Sequence, residues 1–319
     1  TSKAFAKDFM ARHGIPTARA RACASAGEAK EAARGFGGRC AVKADGLAAG
    51  KGVIVCGGIA EAEKAVDELA ATAAGKTLVV EERLEGPEVT VMALVSGASR
   101  ALLPPSRDHK RLLDGDAGPN TGGMGALAPV PLDAKTLGRI ETEILDRTLA
   151  GLAKDGLDYR GALYAGIMLT ADGPKLLEYN ARFGDPETQA VLPLLDADLV
   201  ALAAACARGR GPSGVLPALP GAAVAVVLAS PGYPEKPRLG EALDLSAAAG
   251  LPGVLLFHAG TQKAGAAWTA SGGRVLSVVG RGPDPAAARE RAYAAVAKLK
   301  LGGLRWRRDI AAVHGRSPA

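Results

Sequence analysis

Aromatic residues are scarce in this 319-residue chain, at 4%, with five Phe, five Tyr and two Trp. That alone weakens any reading built on base stacking, which needs aromatic platforms set among gathered cations. The net charge of +6, from 39 Lys and Arg against 33 Asp and Glu, does not rescue such a reading. The basic residues are scattered, and their densest cluster is Arg305, Arg307 and Arg308. Anionic small molecules explain a modest positive balance equally well, so no nucleic-acid partner is expected. No apolar run is long enough to span a bilayer, and no basic-then-apolar leader is visible. The chain is therefore expected to be soluble and cytoplasmic, with no membrane partner. Four cysteines, Cys23, Cys40, Cys56 and Cys206, form no CxxC pair and no metal-ligand spacing. They read as small reduced hydrophobes.

Alanine and glycine are abundant instead, which suits Ala-rich helices and Gly-rich turns. The length allows two or three compact units at about 100–200 residues per domain. The chain opens at Thr1, without methionine, already inside a helix pattern with Phe5, Phe9 and Met10 on one face; Gly14 and Ile15-Pro16 stop it. Strands are expected at Cys40–Ala44 and Val53–Cys56 around a glycine-rich segment, and a helix over Ala60–Ala74. Two more strands, Thr77–Arg83 and Glu88–Val95, flank a turn. Leu137, Ile140, Ile144, Leu145, Leu149 and Leu152 signal a long amphipathic helix. A hairpin follows, Leu163–Leu169 and Lys175–Tyr179 about Ala171-Asp172-Gly173. Another helix is expected near Asp198–Arg208, and Gly209–Gly221 is the best linker candidate. Beyond it come strands at Ala222–Ala229, Val254–His258 and Arg274–Gly280. Asp284-Pro285 then supplies an N-cap and a proline at the first helical position. The fold class is α+β with mainly antiparallel sheets and a small C-terminal unit.

Chemistry concentrates in four segments. Val42-Lys43-Ala44-Asp45-Gly46, continuing through Gly50-Lys51-Gly52 to Val53, sets a lysine on a strand before a glycine loop with a second lysine. Glycines let backbone N–H groups approach phosphate oxygens, and the lysines add point charge. The lysine precedes the glycines and no helix follows, so this is a strand–loop–strand cover and not a Walker loop. The second segment, Glu81-Glu82-Arg83-Leu84 to Glu88, suits an adenine hinge with an acid for ribose hydroxyls. In the third, Glu178 and Asn180 alternate along a strand and present two hard oxygen donors on one side. Arg182 shares that side if the strand continues. The fourth pairs Ser106-Arg107-Asp108-His109-Lys110-Arg111 with Gly118-Pro119-Asn120-Thr121-Gly122-Gly123-Met124-Gly125, basic groups and a glycine loop fit for an anionic substrate. His109, a lone histidine among charges, reads as a hydrogen-bonding positioner rather than a base.

These segments, in this order, resemble the ATP-grasp superfamily and, within it, the glycinamide ribonucleotide synthetase (phosphoribosylamine–glycine ligase) family. The most specific stretch is Arg182-Phe183-Gly184-Asp185-Pro186-Glu187-Thr188-Gln189. Ser2–Phe5, Gly232-Tyr233-Pro234, His258–Thr261 and Gly272–Val275 match as well. The resemblance implies that Lys3, Lys43, Gly46, Gly50, Lys51 and Gly52 hold the nucleotide phosphates. It implies that Glu81, Glu82 and Leu84 form the adenine hinge and Glu88 takes the ribose. Glu178 and Asn180 would bind Mg²⁺ or Mn²⁺. Asp108, Lys110, Asn120, Thr121, Gly122, Gly123, Arg182, Asp185, Glu187 and Thr188 would line the acceptor site. Lys43, Arg182 and Asp185 would serve catalysis. The implied reaction joins glycine to phosphoribosylamine with ATP, through glycyl phosphate, in purine synthesis.

Two departures qualify the resemblance. Tyr164–Leu169, where many relatives carry another metal-binding carboxylate, has none, so phosphate and water must complete the shell. The family also begins with a further nucleotide-fold domain, which this chain is read as lacking. The chain alone is then expected to bind Mg·ATP yet make little product. The expected layout is a residual helix at 1–16, an ATP-grasp lid at 17–77, a larger ATP-grasp subdomain at 78–213 and a C-terminal sandwich-like domain at 214–319, as a monomer. Another ATP-grasp carboxylate–amine ligase, or a non-catalytic nucleotide-binding fragment, are the alternatives.

Overall fold

A computed structural model of the chain describes residues 2–46, 52–265 and 267–312. It divides into two compact units, one of Thr1–Leu102, Leu132–Arg182 and Leu199–Gly214, the other of Leu103–Pro131, Phe183–Asp198 and Val215–Ala319. The strand pairings are mainly antiparallel, as the α+β reading expects, with one isolated parallel bridge between Thr17 and Leu176.

The first unit opens with the helix Lys3–Arg12, capped by Ser2, whose hydroxyl accepts from the Phe5 amide. That cap corrects the expectation of a chain already inside a helix. Gly14, at φ +63°, ends the element as the sequence signals. Phe9 and Met10 are buried, but Phe5 is 54% exposed, so the apolar face is narrower than its spacing suggests. One sheet runs in the order Ala20–Cys23, Leu78–Glu82, Cys40–Ala44, Val53–Val55. The helices Ala26–Gly35 and Ile59–Ala70 pack on each other and on this sheet. Ala29, Ala32, Ala33, Ala62 and Ala65 are all buried there; small side chains let helix and sheet approach closely. Cys23, Cys40 and Cys56 fill the same core and, with Cys206, are free thiols. Burial pushes the Cys56 thiol up to about 12, so it stays an inert hydrophobe.

The second sheet of this unit places Gly173–Asn180 beside Arg160–Thr170, then Glu88–Ser96 and Ser99–Leu102. A register shift falls between Gly166 and Ile167, opposite Leu177. The expected long amphipathic helix is present as Ala134–Arg139, a π-helical stretch Ile140–Asp146, and Arg147–Lys154. Ile140, Ile144, Leu145 and Leu149 are buried along it. The wider turn, with its i→i+5 bonds, has no sequence signature.

The second unit centres on a sheet ordered Val254–His258, Arg274–Gly282, Ala222–Ala229, Gly125–Ala128, Arg107–Asp108. The run Ala222–Ala229 is buried at every position, which explains its unbroken apolar sequence. Ala222, Val224, Val226 and Leu228 join a core with Ala288, Ala292 and Ala295 of the helix Pro285–Lys298. The short helix Glu187–Val191 also packs on the strands. Asp284 caps the long helix through the Ala287 amide at 2.8 Å, with Pro285 at its first turn, as the sequence foretells. Gly280 has a packing role: a Cβ there would sit 2.2 Å from the Ala288 carbonyl oxygen.

Candidate active site

In the first unit the chemistry gathers between the two sheets' polar ends. Lys43, on Cys40–Ala44, is only 7% exposed. Its Nζ lies 2.8 Å from Glu81 Oε1 and 3.5 Å from the Leu177 carbonyl oxygen. The register shift beside Leu177 is what turns that carbonyl out of the ladder. Glu81, in the neighbouring strand, is 2% exposed, and its other oxygen pairs with Lys7 Nζ, also at 2.8 Å. Of the segment expected to form the hinge, Glu81 thus points inward, each carboxylate oxygen 2.8 Å from a lysine, and its backbone lies in the strand between Ala20 and Ala41. Glu82 accepts from the Arg19 amide at 3.0 Å and from Arg19 Nε at 2.6 Å. Burial alone would raise the Glu82 carboxyl, but these two bonds outweigh it and hold it below the usual range. Leu84 and Glu88 are half-buried.

The entrance to the glycine loop is tied down. Lys3 Nζ donates to the Ala44 carbonyl at 2.7 Å and to the Gly46 carbonyl at 3.3 Å. Asp45 accepts from the Ala4 amide at 2.7 Å and from the Ser2 hydroxyl. Burial lowers the Lys3 pKa, and the charge of Glu178 works against that shift. Gly50 and Lys51 lie outside the described residues.

Glu178 and Asn180 do share a face. Tyr164 pairs with Asn180 and Gly166 with Glu178 without a shift between them. Tyr179, between them, turns the other way, its hydroxyl on Thr148, and burial pushes its phenol pKa well up. Across from Glu178 stands Gly166, where a Cβ would fall 3.4 Å from Glu178 Cγ. The strand ends at Asn180 and Arg182 lies beyond it, exposed. The condition under which Arg182 would share that face, a continuing strand, is therefore not met.

In the second unit the segments around Asp108, Thr121–Gly123 and Asp185–Thr188 meet. Thr121 donates twice to the Lys110 carbonyl, from amide and hydroxyl at 2.8 Å each, and its hydroxyl accepts from the Gly123 amide at 3.0 Å. Gly123 has φ +111°, and a Cβ there would lie 2.3 Å from Pro186 Cδ and 2.7 Å from Asp108 Oδ1. Only glycine fits between those two segments. Asn120 pairs with Arg111 at the end of a small two-stranded ribbon. Glu187 is buried, while Asp185 accepts from Gln189 Nε2 at 3.0 Å. His109 is also sequestered. Burial, with Arg307 adding to it, lowers its pKa to about 4, and its Nε2 accepts from the Ala311 amide at 3.3 Å. It is a neutral positioner. Arg307, the middle of the densest basic cluster, is itself buried on Asp116 and Asp309 at 2.7 Å each.

Comparison with known proteins then decides the family. The phosphoribosylglycinamide synthetase ATP-grasp (A) domain matches residues 1–188, and the C domain of the same synthetase matches residues 223–313. The chain belongs to the phosphoribosylglycinamide synthetase family. The phosphoribosylamine–glycine ligase of Streptomyces coelicolor is 46% identical over 98% of this chain and 74% of its own length. That of Rhodopirellula baltica is 44% identical over 97% of this chain, again 74% of its own length. The solved phosphoribosylamine–glycine ligase of Thermotoga maritima superposes with a TM-score of 0.87 at 39% identity, over 97% of this chain and 78% of that one. A biotin carboxylase domain from Hydrogenobacter thermophilus, at 18% identity and a TM-score of 0.72 over 96% of this chain and 67% of that one, shares the ATP-grasp fold.

That family is one of ATP-dependent ligases that work with a divalent metal. Its residues fit such an ion. Glu178 and Asn180 are hard oxygen donors, half-exposed and side by side. Among the described residues no group of three or more His, Cys, Asp or Glu could hold a metal alone. Sparing protein ligation of that kind suits a cation shared with phosphate. Among the described residues no helix is long and apolar enough to cross a membrane.

Three residues escaped sequence reasoning. Lys7 was invisible because its partner Glu81 is distant along the chain; its only signal is its place one turn after Lys3. Arg274 belongs to a segment matched without a role. Its Nη1 donates to the carbonyls of Gly122 at 2.6 Å, Gly123 at 3.4 Å and Asp185 at 2.8 Å, while Nη2 meets Asp185 Oδ2 at 3.1 Å. Tyr233, from another matched segment, accepts from the Gly122 amide at 3.0 Å. Arg274 and Tyr233 together brace the loop that the sequence marks as substrate-binding.

Proposed function

We propose that the site in this chain serves the ATP-dependent joining of glycine to phosphoribosylamine, yielding glycinamide ribonucleotide, ADP and phosphate. A glycine carboxylate oxygen attacks the γ-phosphorus in line, and the bond from that phosphorus to the β,γ-bridging oxygen breaks to release ADP. The amine nitrogen of phosphoribosylamine then attacks the acyl carbon of glycyl phosphate, phosphate departs, and the nitrogen loses a proton to solvent. Such chemistry asks a protein mainly for positioning and charge neutralisation. The observation that carries the reading is Lys43, held nearly buried at the root of the glycine loop by Glu81.

Lys43 and Lys3 neutralise the transferring phosphates, and Gly46, Gly50, Lys51 and Gly52 cover them against water, since an acyl phosphate hydrolyses readily. The backbone of Glu81, Glu82 and Leu84 receives adenine, and Glu88 the ribose. Glu178 and Asn180 hold Mg²⁺, or Mn²⁺ in its place; bound there, the ion would neutralise phosphate charge. Asp108, Lys110, Asn120–Gly123, Asp185, Glu187 and Thr188 orient the acceptor, and Arg182 supplies a guanidinium to its carboxylate or to phosphate. The same reading makes the enzyme a cytoplasmic monomer acting on small molecules. Steady-state assays test it: ADP formation should require both glycine and phosphoribosylamine. Turnover that proceeds equally with other carboxylates would assign a different ligase.

A further inference from the structure

Lys7 is a buried lysine to which neither the sequence nor the proposed reaction gives a role. It is fixed from several sides. Nζ pairs with Glu81 Oε2 at 2.8 Å, donates to Thr17 Oγ1 at 2.7 Å and lies 3.5 Å from the Ala18 carbonyl oxygen. Thr17 passes the contact on, donating to the Leu176 carbonyl at 2.6 Å, two residues before Glu178. On its far side Glu81 meets Lys43 at 2.8 Å. One carboxylate is thus shared by two ammonium groups in a nearly dry interior.

We propose that Lys7 is a positioning residue that offsets the Glu81 charge, so that Lys43 is held in place by Glu81 without being neutralised by it. The proposal rests on Lys43 being the phosphate lysine. With Lys7 present, the trio carries one net positive charge, available to phosphate. Without it, Glu81 and Lys43 form a closed neutral pair, and a phosphate must compete with a buried carboxylate for the same ammonium. Interactions between charges in such surroundings are strong, because little water screens them. Burial lowers the Lys7 pKa to about 8, which still leaves it protonated at neutral pH. The Thr17–Leu176 link lets the same lysine tie the helix Lys3–Arg12 to the strand that bears Glu178.

The experiment measures Mg·ATP affinity by calorimetry, with thermal melts and steady-state kinetics on the same samples. Lys7→Met should weaken Mg·ATP binding by about tenfold and raise KM for ATP more than it lowers kcat. The double variant Lys7→Met/Glu81→Gln removes the competing carboxylate together with its counterweight, and should regain most of that loss. A merely structural lysine would behave otherwise, since the second change would add to the damage. If Lys7→Met does not fold, Lys7→Gln, which keeps a polar partner for Thr17, replaces it in both the single and the double variant, with the same outcomes expected. Unchanged affinity in folded Lys7→Met, or a double variant no better than the single, overturns the proposal. Lys43→Ala runs beside them; if it leaves ATP affinity untouched, the underlying assignment of Lys43 fails, and that failure is distinguishable from the others.

Discussion

Replacing Arg274 with alanine should disable acceptor binding while leaving ATP binding alone. Its guanidinium makes two short bonds, to the Gly122 and Asp185 carbonyls at 2.6 and 2.8 Å, and one long one to Gly123. Bonds from a charged donor contribute about 1.5–3 kcal/mol each, so the two short ones are worth about 3 kcal/mol at the low end. The ion pair with Asp185 adds little, because that carboxylate is 47% exposed. The loop keeps other anchors, the Thr121–Lys110 bonds and Tyr233 on Gly122. We therefore take a net loss of about 2 kcal/mol in holding Gly122-Gly123 against Asp185-Pro186, or about thirtyfold in kcat/KM for the acceptor substrates. ADP formation followed at varied glycine and phosphoribosylamine, with ATP saturating, reads this directly. KM for ATP should stay within about twofold, since the bonds of Arg274 go to Gly122, Gly123 and Asp185, which are assigned to the acceptor. Arg274→Lys should recover little, because a point charge cannot span two carbonyls and a carboxylate as a planar fork does. An alanine variant with the parent's melting temperature and acceptor kcat/KM within threefold would refute the brace.

The other expectations are narrower. Lys43→Ala should weaken ATP binding by about ten- to a hundredfold, the loss of one charged bond, read by calorimetry in a folded variant. Glu178→Gln should raise the Mg²⁺ concentration needed for half-maximal turnover without lowering the melting temperature; an unchanged requirement removes the assignment. His109 has its pKa lowered from 6.5 to about 4, so the unfolded chain binds a proton that the folded one refuses between those values. Its stabilising contribution is complete above pH 6.5 and is lost as pH falls toward 4, by up to about 3 kcal/mol. Chemical denaturation across that window should show a flatter acid limb for His109→Gln than for the parent.

The parts of the site legible in the sequence are those written in local pattern. Lys43 ahead of a glycine loop, Glu178 and Asn180 two apart on a hairpin strand, and Asp284-Pro285 opening a helix are short-range features, and the backbone follows them. Side-chain partnership is a different matter. That Glu81 turns inward depends on Lys7 and Lys43 arriving from separate elements, and a pair of acids at a strand end looks the same whether solvated or buried. Arg274 reaches segments far away in the chain, so nothing near it in sequence announces the brace. Strand alternation is silent on Arg182, because the ladder stops at Asn180. The π-helical stretch Ile140–Asp146 keeps an amphipathic spacing indistinguishable from the α-helical one. Phe5 shows the limit of periodicity from the other side: it has the spacing of a core residue and remains exposed.

The central claim is that the chain activates the glycine carboxylate by phosphorylation, and an oxygen-transfer experiment tests it most directly. Glycine labelled with heavy oxygen in its carboxylate is turned over with ATP and phosphoribosylamine, and the released phosphate is examined by mass spectrometry. The account predicts one labelled oxygen in the phosphate for each ADP formed, because that oxygen bridges carbon and phosphorus in glycyl phosphate and leaves with phosphorus. Phosphate released without label, while glycine is still consumed, would contradict it.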